Sequence, residues 1–109
     1  MSAIKENLGK LKAEDIPLIL AIVDICRRNG LEAGLHGTSL WNAKYKDIDL
    51  LVFSLANDVQ AFRKALESIL KEQQGKILEQ KGNEKIGLDY DIQIKKVIVH
   101  ISFVRVLSK

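Results

Sequence analysis

Residues 87 to 104 impose the strongest constraint on the fold of this chain. Leu88, Tyr90, Ile92 and Ile94 alternate with Asp89, Asp91 and Gln93. After Lys95 and Lys96, a second run alternates Val97, Val99, Ile101 and Phe103 with Ile98, His100, Ser102 and Val104. A period of two puts successive side chains on opposite faces of a strand. Each arm therefore has one apolar and one more polar face, as in an antiparallel hairpin covered by helices on one side. A turn centred between Lys95 and Lys96 pairs residues whose numbers sum to 191 (95 + 96), which sets Asp91 opposite His100 on the same face.

The segments before this hairpin supply the helices and the rest of the sheet. Residues 15 to 29 predict a helix with Asp15 as N-cap, Pro17 in the first turn and Arg27 and Arg28 at the C-terminal end, stopped by Gly30. It is apolar on more than one side, so it should be substantially buried. Residues 31 to 37 read as a short strand feeding a turn, "TSLWN" as a short helix and "DIDLLVF" as a strand. Residues 57 to 73 form an amphipathic helix, with Asn57 as cap and Val59, Phe62, Leu66, Ile69 and Leu70 on one stripe. "KILEQ" reads as a further strand and "KGNEK" as a turn. The order predicts one α+β domain spanning residues 1–109, a mixed β-sheet with helices packed on one face.

Composition narrows the classes. A chain of 109 residues, 47% hydrophobic and 28% charged, suits one globular domain. Its net charge of +3 is compatible with a nucleotide or polyanion but names neither. One cysteine, Cys26, leaves no internal disulfide and fits a reducing compartment. No apolar run reaches the roughly 18 to 20 residues that span a bilayer, and the first residues lack a signal-peptide core. The expectation is a cytoplasmic protein with no membrane partner.

Chemistry concentrates in residues 37–52, "GTSLWNAKYKDIDLLV". On a strand, Asp47 and Asp49 would point to one face while Ile48 and Leu50 enter the core. Two adjacent carboxylates repel unless a cation lies between them, and hard oxygen ligands favour Mg²⁺ or Mn²⁺, often together with substrate phosphates. Gly37, Thr38 and Ser39 sit at a helix start, where backbone N–H groups can hold a phosphate. Lys44 and Lys46 could neutralise phosphate charge, and Trp41 could stack on a base or simply join the core. The plainer alternative makes Gly37 a turn residue, His36 a strand-edge residue and the aspartates the start of a strand.

"LHGTSLWNAKYKDIDLLV", about a sixth of the chain, resembles the signature of the nucleotidyltransferase superfamily. That superfamily includes polymerase β, the tRNA CCA-adding enzymes, the aminoglycoside and lincosamide nucleotidyltransferases and the minimal nucleotidyltransferases. Its members carry an apolar residue, Gly, then Gly, Ser or Thr, a spacer, and Asp-apolar-Asp. The spacer here is shorter than in many members and close to the "GGTAL" type of toxin–antitoxin systems. The resemblance implies a nucleotidyltransferase-like sheet and a nucleoside triphosphate whose phosphates contact Gly37, Thr38 and Ser39, to which the charge of Lys46 could add. It also implies Mg²⁺ or Mn²⁺ at Asp47 and Asp49, with transfer of a nucleoside monophosphate to an acceptor hydroxyl.

The family also needs a third acidic residue on a later strand, commonly the second arm of a hairpin. At that place this chain has His100, and the pairing rule sets Asp91 beside it. The expected catalytic set is therefore Asp47, Asp49, Asp91 and His100, with Asp91 as third metal ligand or base. A competing expectation is a catalytically degenerate, antitoxin-like module that binds a nucleotide or partner on the same fold. Either way the resemblance implies that a homo-oligomer or a separate helical partner completes the acceptor pocket.

Overall fold

The computed structural model describes residues 15–35 and 47–106, and of Asp47 the backbone alone. The expected short helix at "TSLWN", and His36, Gly37, Thr38, Ser39, Trp41, Lys44 and Lys46, lie outside the described residues. Helix α1 (Ile16–Arg28), strands β1 (Glu32–Leu35) and β2 (Asp47–Phe53), helix α2 (Val59–Glu72) and strands β3 (Lys76–Asn83), β4 (Gly87–Ile94) and β5 (Val97–Val104) follow one another along the chain. The five strands form one sheet in the order β1-β2-β5-β4-β3. Strand β2 runs antiparallel to β1 and parallel to β5, and the remaining pairs are antiparallel. The molecule is an α+β fold built on a mixed sheet.

Side-chain alternation decides which face is covered. Ile48, Leu50 and Val52 of β2 join Val99, Ile101 and Phe103 of β5 and Leu88, Tyr90 and Ile92 of β4 in one core. Ile19, Ile22, Val23 and Ile25 of α1 and Phe62, Leu66 and Ile69 of α2 belong to the same cluster, so both helices lie on this face. Phe62 stacks on Phe103 at a centroid distance of 4.7 Å and meets Tyr90 at 6.0 Å, anchoring α2 over the β4–β5 hairpin. Cys26 is buried in α1, and burial pushes its thiol pKa up to about 11, so it packs as an inert hydrophobe.

Helix ends follow local chemistry. In α1, Asp15 stands at the N-cap position but its side chain does not cap the helix. The C-terminus closes as expected: Gly30 takes φ +78°, Gly30 N–H donates to Arg27 and Leu31 N–H to Cys26, the paired bonds of a Schellman end. In α2 the cap is Asp58, which accepts from Ala61 N–H at 3.1 Å, so the expectation of Asn57 is corrected by one residue. Asn57 instead adopts φ +51°, and its amide grips Val106 in both directions.

The turn expected at "KGNEK" is also corrected. Strand β3 continues through Lys81, Gly82 and Asn83, and the turn follows at residues 84–86. All of β3 is exposed because it is the outer strand of the sheet. Leu78 is the extra residue of a bulge between Ile77 and Glu79. A bulge and flanking lysines, Lys76 and Lys81, discourage edge-to-edge pairing. The β4–β5 register obeys the sum of 191 along its whole length, as the sequence predicts. Among the described residues no helix is long and apolar enough to cross a membrane.

Candidate functional site

The site lies on the sheet face turned away from both helices. Strand β5 is central, with β2 in parallel register on one side and β4 in antiparallel register on the other. His100 therefore has Asp49 as its partner on β2 and Asp91 as its partner on β4. Glu79 of β3 continues the same row beyond Asp91. In the next row, Leu51, Ser102, Asp89 and Lys81 follow one another across the sheet. Residues paired in register share a face, so this surface sets Asp49, Asp89 and Asp91 around one imidazole, with Glu79 one strand farther out beside Lys81.

The imidazole is committed to β4. Its Nδ1 lies 2.6 Å from Asp91 Oδ1 in a hydrogen bond, and its Nε2 lies 3.4 Å from Asp89 Oδ1. Ser102 Oγ donates to the same Asp89 oxygen at 2.5 Å. Both ring nitrogens thus turn toward the strand opposite β2. Burial pushes the pKa of His100 down. The hydrogen bond to Asp91, then the charges of Asp91, Asp89 and Asp49, outweigh it and hold the group above its ordinary value of 6.5.

The expected residues separate accordingly. Asp49 is half-buried on β2, and Asp47 is two residues earlier on the same strand, in register with Ile98. Asp91 does meet His100, as the pairing rule predicts, but it stands two strands from Asp49. At about 4.8 Å per strand that is roughly 10 Å between backbones, with His100 in between. Of Asp47 and Asp49, only the Asp49 side chain is described, and its carboxylate is a hard oxygen donor of the kind that holds Mg²⁺ or Mn²⁺. Asp91 is instead bonded to His100, and no group of three His, Cys, Asp or Glu side chains gathers for metal binding among the described residues.

Asp89 and Ser102 also belong to this cluster, although the sequence reading assigned them no role. The sum of 191 pairs them too, so the signal was present in the register. What hid it was that serine at a strand position usually means nothing more than a tolerated polar residue.

Comparison of the chain with protein-family models and with curated proteins finds no match.

Proposed function

We propose that this protein is a metal-dependent nucleotidyltransferase that passes a nucleoside monophosphate from a nucleoside triphosphate to an acceptor hydroxyl. The observation that carries the reading is the registration of Asp49, on a strand opening Asp-Ile-Asp, beside residue 100 of the parallel central strand. That is where the resemblance places the residue that completes the site. Asp47 and Asp49 would hold Mg²⁺ or Mn²⁺, which when bound neutralises triphosphate charge and favours attack at the α-phosphorus.

The chain's own residues do the remainder. Gly37, Thr38, Ser39 and Lys46 would bind the phosphates, through backbone N–H groups, hydroxyls and an ammonium. The acceptor oxygen forms a bond to the α-phosphorus as the bond to the β-phosphate oxygen breaks and pyrophosphate leaves. Asp91, hydrogen-bonded to His100, would be the base that takes the acceptor's proton. A second copy of the chain or a separate helical protein would complete the acceptor pocket.

Calorimetry with Mg²⁺ and each nucleoside triphosphate tests the binding step. Metal-dependent heat that Asp49→Asn abolishes is the expected result; no binding of any triphosphate ends the reading. The orientation of His100 toward β4 favours a second reading, a binding module without turnover. Pyrophosphate release from labelled triphosphate, lost in Asp47→Asn, decides for the enzyme, and binding without release decides for the module.

A further inference from the structure

We infer that the outer edge of β3 is a pairing surface for a second copy of this chain, kept closed by the side chain of Gln80.

Strand β3 ends the sheet, and all of its residues, Lys76–Asn83, are exposed. In an antiparallel ladder, residues alternate between turning both N–H and C=O toward the neighbouring strand and turning both away from it. Alternate residues of β3 therefore present backbone groups to which a further strand can pair. Apolar surface accompanies them, since Ile77 and Leu78 are each 46% exposed.

The edge is complementary to itself in one register. Two copies related by a twofold axis present the same strand to each other, running antiparallel. Centring the pair on Gln80 sets Glu79 of each copy opposite Lys81 of the other, with Leu78 opposite Gly82. Glu79 and Lys81 already turn to one face, with Oε1 3.6 Å from Nζ, so both ion pairs would form on that face. Centring on residue 79 or residue 81 instead opposes like charges.

The Gln80 amide blocks this register. Its Nε2 donates to the carbonyl of Lys81 at 2.9 Å and to that of Gly82 at 3.1 Å. Of two successive carbonyls in a strand, one points outward, so the amide occupies an edge acceptor. Pairing centred on Gln80 needs that acceptor in either case. The Lys81 carbonyl would take the N–H of the copy's Glu79, or the Gly82 carbonyl the N–H of its Leu78. The bulge at Leu78 works in the same direction by bending the edge.

Sedimentation equilibrium of the full chain, with amide exchange on the same samples, tests this. Gln80→Val removes the donor and keeps a strand-forming residue. The variant should rise with concentration to twice the wild-type mass, and exchange should slow in β3 as it does so. A wild-type mass at every concentration overturns the inference, as does a doubling that leaves β3 exchange unchanged. Wild-type chains that already protect β3 by associating overturn it too. Gln80→Thr, whose hydroxyl is too short to reach both carbonyls, supplies the same readings if the valine variant does not fold. Adding Lys81→Glu to Gln80→Val opposes like charges and should restore the wild-type mass; a doubling that persists refutes the register.

Discussion

His100 Nδ1 and Asp91 Oδ1 stand 2.6 Å apart across the β4–β5 pair, at the level where Asp49 flanks His100 from β2. One imidazole is thus set among carboxylates from both neighbouring strands. The bond to Asp91 and the negative charges favour the protonated ring, against the opposing effect of burial. Asp91→Asn removes both the strongest acceptor and the nearest charge. The pKa of His100, followed through its imidazole carbon-bound protons by NMR, should fall in this variant. A pKa that stays where it is in the wild type would contradict the assigned cause.

The same pair makes stability depend on pH with a definite sign. The folded-state pKa of His100 lies above the ordinary 6.5, so the native state binds the proton more tightly than the unfolded chain. Its stabilisation is fully present below about pH 6.5 and is lost as pH rises through the raised folded value. The groups facing it are Asp91 and Asp89 on β4 and Asp49 on β2. Thermal midpoints should therefore decline across this window in the wild type, and the decline should be shallower in His100→Asn. Identical slopes would remove the cluster as the source.

Asn57 closes the far end of the sheet. Its Nδ2 donates to Val106 O at 2.8 Å and its Oδ1 accepts from Val106 N–H at 2.6 Å. Asn57→Gly keeps the positive φ available and removes the clasp, whereas Asn57→Ala removes the clasp and also strains the backbone. Leaving partly buried backbone groups unpaired costs about 1–3 kcal/mol. In urea titrations Asn57→Gly should be destabilised, with Asn57→Ala worse. Loss confined to the alanine variant would mean that conformation, not the clasp, is what matters.

The β3–β4 hairpin depends on Gly82. It adopts φ +83°, and an added Cβ would collide with the carbonyl oxygen of Gly87. Backbone cannot yield there without breaking the pairing of Gly82 with Leu88. Gly82→Ala should destabilise the protein by more than about 1 kcal/mol, and amide exchange should quicken first in β3 and its turn. Unchanged exchange in β3 would show that the hairpin relaxes freely.

Phe62 should be the costliest core truncation in α2. It is fully buried and contacts the rings of Phe103 and Tyr90. Phe62→Ala should lower stability by about 3–5 kcal/mol, measured by denaturant unfolding. A loss under about 1 kcal/mol would mean that the core collapses around the cavity.

Sequence by itself determined the parts of this protein governed by local periodicity. Alternation from Leu88 to Phe103 specified two strands, their buried face and a register that places Asp91 on His100, because a tight turn and a period of two leave one pairing that buries the apolar residues. The stripe through Phe62, Leu66 and Ile69 specified α2 in the same way. Tertiary structure decided what depends on strands distant in the chain. Nothing local says that β2 lies parallel to β5, and that contact alone puts His100 beside Asp49 and leaves Asp91 two strands from it. It also assigned Asn57 to Val106, 49 residues along the chain, and passed the helix cap to Asp58. A side chain with several hydrogen-bonding options takes the one the assembled fold brings within reach, and only the folded chain shows which that is.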